Sequence, residues 1–195
     1  MNKSIQMLVE AVNMIPRQFY PKYPNDNISE SVYERLVSQL TIRYRKLTGG
    51  YCRTELLLPT SENIQKFAYT PENKAMIRKL ATGIASLVPK PTFLMEQVSE
   101  LPLPVTIVEV KMDHKLQRGV FYWDFFKLHF LVEQNRGSCG IYFIINQDVI
   151  SVQKKISAYY ERGLYTSLSA ENIFFLIKKD YNSDIVVLNY KGESS

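Results

Sequence analysis

The sequence predicts an α/β protein, with a mixed central β-sheet that has helices on both faces. Three observations predict this class. A strand, a helix and a strand succeed one another between residues 105 and 146, and strands joined in this way pair in parallel. The proline-rich stretch SELPLP separates the first of these strands from an earlier apolar run, which indicates a β-hairpin. Apolar residues also recur at helical spacing within the first 50 residues.

The N-terminal part is predicted to contain two helices and one strand. Apolar residues at helical intervals predict the first helix over Ser4 to Met14. The second helix is expected to begin after Ser29, a residue type that caps helix N-termini, and to end at Gly49. A short strand over Tyr51 to Leu58 follows. Residues 60–88 have the pattern of a polar loop and then a helix, which we interpret as an insertion.

The remaining part alternates strands and helices. Its elements, each predicted from an apolar run of the matching period, are a strand over Phe93–Val98, a strand from Val105, a helix over 117–134, a strand over Ile141–Asn146, a helix from Val149, and apolar runs at Ile173–Ile177 and Ile185–Tyr190. The run at Ile173–Ile177 fits a strand or a helix. Together these elements predict a single domain over 1–195, with a core over about 29–146, a helical insert over about 60–90 and a C-terminal elaboration over 147–195.

Bulk composition limits the class of protein. The chain is 46% hydrophobic and 22% charged, which is ordinary for a globular protein and unlike a disordered one. No apolar run reaches the roughly 18 residues of a membrane span, and Glu10 interrupts the N-terminal segment where a signal peptide would stay apolar. We therefore expect a soluble intracellular protein, cytoplasmic or nuclear, without a membrane partner. The net charge of +5 favours polyanionic partners.

Two charged residues interrupt the apolar strand VTIVEVKM. Because successive side chains of a strand alternate between its faces, Glu109 and Lys111 share one face and Val110 lies on the other. Charged groups are rarely buried without a partner. The pair therefore indicates a functional site, such as one that holds a metal or a phosphate.

A further acid, Glu96, lies on the preceding strand of the predicted hairpin. We expect the paired strands to bring Glu96 and Glu109 within reach of one divalent ion, since Mg²⁺ prefers carboxylate oxygens. Lys111 would then contact the attacking water or the scissile phosphate. Such a site lowers the pKa of metal-bound water and offsets the negative charge of the phosphate.

This arrangement resembles the PD-(D/E)xK nuclease superfamily of restriction enzymes and Holliday-junction resolvases. The resemblance covers Ser29 to Asn146, with Glu109, Val110 and Lys111 as the second half of the motif. It implies a restriction-endonuclease-like core and a metal-dependent endonuclease that hydrolyses phosphodiester bonds of DNA or RNA with Mg²⁺ or Mn²⁺. A cut through both strands of a duplex would favour a homodimer.

The resemblance also implies further site residues. The core helix before the sheet often carries an acid in this superfamily, which here is Glu34 or else Glu30. An Arg-x-Glu on the first strand corresponds to Arg53, Thr54 and Glu55, and the helix after the motif strand often adds a polar residue, here Gln117.

The first half of the motif is absent, because Pro91 is followed by Thr92 and not by aspartate. The missing metal ligand must then come from Glu96, or from Glu55. The alternative is a catalytically inactive nuclease-like module that binds nucleic acid or another protein.

Overall fold

The computed structural model describes residues 3–21, 30–49, 51–53, 93–96, 106–135 and 138–194. The α-helices in these ranges are α1 (Lys3–Asn13), α2 (Glu30–Thr48), α3 (Arg118–Gln134) and α4 (Val149–Glu161), with 3-10 turns at Arg17–Phe19 and Ala170–Asn172. The strands are β1 (Tyr51–Arg53), β2 (Phe93–Glu96), β3 (Thr106–Met112), β4 (Cys139–Ile145), β5 (Ile173–Lys178) and β6 (Ile185–Asn189).

One mixed sheet joins the six described strands in chain order. The pairs β1–β2, β2–β3 and β5–β6 are antiparallel, whereas β3, β4 and β5 run in parallel. The predicted hairpin of β2 with β3 and the predicted crossover from β3 through α3 to β4 are therefore confirmed. The run at Ile173–Ile177, which fitted a strand or a helix, belongs to strand β5.

Helices cover both faces of the sheet, as predicted. Side chains of β3 alternate between two apolar clusters, with Ile107 in one and Val108 in the other. Residues of α1 and α2 share the cluster of Val108, and residues of α3 and α4 share the cluster of Ile107. Glu109 and Lys111 alternate in step with Ile107, so both lie on the face that α3 covers.

Helix α3 has no solvent-exposed face along most of its length, since every residue from Phe121 to Val132 is buried. It lies so close to β4 that a Cβ atom added to Gly140 would be 2.8 Å from Cγ2 of Val132. Glycine at this position therefore permits the close approach of helix and strand. The contact holds the C-terminal half of α3 close to the start of β4.

The outer edge of β6 is partly covered by the same chain. Leu188 pairs with Phe175 of β5 on one side and forms a β-bridge with Ser194 on the other. The backbone N–H of Asn189 donates to the carbonyl of Glu193 at 2.8 Å. The turn between them uses Gly192 at a φ of 85°, a conformation that favours glycine.

Several predictions fall outside the described residues. These are the helical insert at about 60–90, the part of the first predicted strand beyond Arg53, and the cap residue Ser29. In the ranges that the structure describes, no helix combines the length and apolar character needed to cross a membrane.

Candidate functional site

Glu109 lies in the middle of β3 and is only 7% exposed. Its side chain meets α3, where the ammonium Nζ of Lys127 is 3.1 Å from its Oε1 atom. Lys127 is itself buried, so the ion pair lies inside the protein and not on its surface. Screening by water and salt is weak there, and each charge depends on its partner for compensation.

A second carboxylate, that of Asp124, shares the same ammonium. Asp124 precedes Lys127 by one helical turn of α3, and its Oδ1 atom is 2.9 Å from Nζ of Lys127. The hydroxyl of Tyr142 donates to Oδ2 of Asp124 at 2.9 Å. Tyr142 stands beside Glu109 in the parallel register of β3 and β4. Glu109, Asp124, Lys127 and Tyr142 thus form one group, which we call the buried charge cluster.

Lys111 stands at the rim of this cluster. Its Nζ atom is 4.0 Å from Oδ2 of Asp124, and its side chain is 33% exposed. It is therefore the member of the group that a molecule from solution can reach first. With Lys111 included, two acidic side chains face two ammonium groups, and the formal charges cancel when both acids are ionised.

Burial changes the acidity of the groups in the cluster. Removal from water raises the pKa of Glu109 to about 7, against the opposing effect of the Lys127 charge. Burial alone would lower the pKa of Lys127, but the charges of Glu109 and Asp124 outweigh it and raise the pKa to about 12. Burial, and then the neighbouring carboxylates, raise the pKa of Tyr142 well above its ordinary value. At neutral pH the cluster therefore contains an ammonium and a neutral phenol.

One oxygen of the cluster has no protein partner among the described residues. The Oε2 atom of Glu109 is buried there without a hydrogen bond. Buried carboxylate oxygens without partners are uncommon, because the lost hydration is not replaced. This oxygen is consequently available to accept a hydrogen bond or to bind a cation.

The two residues on which the sequence argument depends are brought to one site. Glu109 and Lys111 lie on one face of β3, as predicted, and Asp124 lies within 4.0 Å of the Lys111 ammonium. Glu34, in contrast, is exposed on α2, the helix that covers the opposite face of the sheet. The structure therefore does not bring Glu34 to Glu109. Gln117 is exposed and directly precedes α3, without a side-chain hydrogen bond to the helix.

The backbone register separates Glu96 from Glu109. Phe93 pairs with Val108 and Met95 with Thr106, so Glu96 lies beyond the Thr106 end of this ladder. Glu109 lies beyond the Val108 end. Along the ladder, Glu96 and Glu109 are thus offset from one another by four residues, which corresponds to roughly 13 Å. The hairpin therefore does not place the two acids opposite one another. Glu55 and Thr92 lie outside the described residues.

Asp124 and Lys127 were not predicted as site residues from the sequence. The signal was present, since both interrupt the apolar run FYWDFFKLHFL as Glu109 interrupts its strand. Their spacing of three residues puts them on one side of the helix. In the ranges covered by the structure, no group of three or more histidine, cysteine, aspartate or glutamate side chains is arranged to hold a metal. The buried charge cluster contains two such side chains, the carboxylates of Glu109 and Asp124.

Comparison of the chain with protein-family models, curated proteins and solved structures gave no match in any of the three. The relation to the PD-(D/E)xK superfamily therefore stays a prediction from the motif residues and the order of elements.

Proposed function

We propose that the chain is a metal-dependent endonuclease that hydrolyses phosphodiester bonds of DNA or RNA, with Mg²⁺ or Mn²⁺ as the cofactor. One observation carries the proposal: two buried carboxylates, from Glu109 on β3 and Asp124 on α3, converge on a single cationic nitrogen beside Lys111. The order of elements from α2 through three antiparallel strands to α3 and β4 supports it as well.

The donor atoms fit a hard divalent cation. Mg²⁺ and Mn²⁺ prefer carboxylate oxygens, and one or two protein carboxylates suffice where water and substrate phosphate complete the shell. Oε2 of Glu109 is buried without a partner among the described residues and is free to accept such a bond. When bound, the metal would lower the pKa of a water ligand and neutralise phosphate charge.

The side chains around the carboxylates have distinct tasks in this proposal. Lys111, one-third exposed at the rim, presents its ammonium to the scissile phosphate and offsets the negative charge that develops there. Tyr142 donates to Asp124 and fixes the direction of its carboxylate. Before a metal binds, Lys127 holds the two carboxylates together inside the protein.

A second candidate is a nuclease-like module that binds nucleic acid or protein without cleavage. The observation that favours it is the position of the Lys127 ammonium, within 3.1 Å of both carboxylates. Together with the ammonium of Lys111 it compensates the two negative charges, so the cluster is complete as an internal ion network. Such networks contribute little net stability, and in some proteins they favour one unique packing of the core.

Cleavage assays separate these two functions. Labelled single- and double-stranded DNA and RNA are incubated with Mn²⁺, Mg²⁺ or EDTA and the wild type, Glu109→Gln or Lys111→Met. We expect metal-dependent cutting by the wild type and a loss of about 100-fold or more in both variants. Lys115→Met is the matched control, because Lys115 is an exposed lysine just beyond the same strand; it should cut at the wild-type rate.

A folded wild type that cuts none of these substrates with either metal would refute the nuclease proposal. Anisotropy measurements on the same labelled substrates then decide what remains. Tight binding without cutting would support the non-catalytic module.

A further inference from the structure

We propose that Lys127 is an internal cation that competes with a divalent metal for the carboxylates of Glu109 and Asp124. Metal loading then requires the ammonium to leave the space between the two carboxylates. This inference rests on the proposed function, since the metal site is the same one. It adds a regulating residue that the motif comparison does not contain.

The geometry of the ammonium is the first argument. Nζ of Lys127 is 3.1 Å from Oε1 of Glu109 and 2.9 Å from Oδ1 of Asp124, which are ordinary lengths for charge-assisted hydrogen bonds. A magnesium ion needs its oxygen ligands at about 2.0–2.1 Å. The two carboxylates cannot close on a metal at that distance while the nitrogen stands between them.

The charge balance is the second argument. At a pH above 7, where Glu109 is ionised, the two carboxylates are matched by the ammonium groups of Lys127 and Lys111. An added divalent ion would then bring two positive charges into a neutral and largely buried group. Like charges at such distances repel strongly where water is excluded. Removal of the Lys127 charge leaves a net negative group that attracts the same ion.

The open oxygen of Glu109 is the third observation. Oε2 of Glu109 is buried without a hydrogen bond among the described residues, although the other carboxylate oxygen, Oε1, is bound to the Lys127 ammonium. The glutamate therefore keeps one ligand position open beside the occupied one. A divalent ion can begin to bind at this oxygen before the ammonium is displaced.

Metal titration tests the inference without any measurement of cleavage. Free Mn²⁺ is followed by electron paramagnetic resonance in titrations of the wild type, Lys127→Met and the double variant Lys127→Met/Glu109→Gln. Methionine keeps the length of the apolar stem without the charge. We expect Lys127→Met to bind one Mn²⁺ at least about ten-fold more tightly than the wild type, and the double variant to lose this gain. Equal affinity in wild type and Lys127→Met, or a gain that survives Glu109→Gln, would overturn the inference.

If Lys127→Met is unstable in EDTA, thermal melting with and without Mn²⁺ replaces the titration as the test. A ligand that binds the folded state raises its melting temperature, so Mn²⁺ should stabilise Lys127→Met far more than the wild type. Failure of Mn²⁺ to raise or restore its melting transition would also overturn the inference. The outcome is separate from that of the cleavage assay. If the wild type cleaves nucleic acid but Lys127→Met gains no affinity for Mn²⁺, only the role of Lys127 is refuted. If Lys127→Met binds Mn²⁺ more tightly but the wild type does not cleave, only the nuclease proposal is refuted.

Discussion

Replacement of His129 by asparagine should remove much of the acid sensitivity of this fold. His129 lies in α3 with no exposed surface, and its Nδ1 atom accepts hydrogen bonds from the backbone N–H of Ser167 at 3.2 Å and from the Ser167 hydroxyl at 3.0 Å. Its Nε2 atom is 3.4 Å from the hydroxyl of Tyr160. Burial lowers the pKa of His129 to about 3 from an ordinary value of 6.5.

The sign and size of the effect follow from this depressed pKa. The unfolded chain takes up a proton on His129 as the pH falls through 6.5, whereas the folded protein does so only near pH 3. The contribution of the neutral imidazole to stability is therefore complete above pH 6.5 and lost progressively towards pH 3. Each pH unit in this window costs about 1.4 kcal/mol. Between pH 7 and pH 4.5 the loss amounts to roughly 2.5 kcal/mol.

Urea unfolding at pH 7 and pH 4.5 measures the effect in the wild type and His129→Asn. Asparagine stays neutral over this range and offers an oxygen to the Ser167 N–H, while every other titrating group is common to both proteins. The difference in unfolding free energy between the two proteins should narrow by roughly 2.5 kcal/mol at the lower pH. A difference that stays constant within about 0.5 kcal/mol would refute the reasoning from burial.

Two further substitutions test how the structure holds α3 and the cluster. Gly140→Ala should lower the unfolding free energy by about 1–3 kcal/mol, because its Cβ would meet Val132 at 2.8 Å. Gly119→Ala is the control and should not destabilise the protein, because Gly119 is exposed with open space around it. Urea titration of both variants measures the difference. Tyr142→Phe should cost about 1–3 kcal/mol by leaving an oxygen of the buried aspartate without its donor. Tyr122→Phe is its control, because that buried hydroxyl has no hydrogen bond among the described residues, and equal losses in both variants would contradict the assignment.

Most of the described fold was predictable because the local sequence pattern of each element indicates its secondary structure. The helices α1 and α2 and the strands β3 and β4 follow from apolar spacing, and the crossover rule then pairs the two strands in parallel. The strand β5 was ambiguous because its apolar run is short enough for either period. Its place beside β4 in the sheet decides the conformation.

The site was predictable only in part, because its composition depends on packing between distant segments. The alternation rule put Glu109 and Lys111 on one face correctly. The partner of Glu109, however, is set by how α3 lies over β3, and no local pattern reveals that Lys127 reaches it. The distance from Glu96 to Glu109 is likewise set by the register of the hairpin, which the sequence spacing did not give.

The turn beyond β6 bears on how copies of this chain can associate. An exposed strand edge is a template on which another chain can add a strand, and natural sheets often block such edges. Here the outer side of Leu188 and Asn189 is already bonded to Ser194 and Glu193 of the same molecule. A second copy that joined the sheet along this part of β6 would first have to displace that turn. Self-association by continuation of the sheet is thus disfavoured at the C-terminal end of β6.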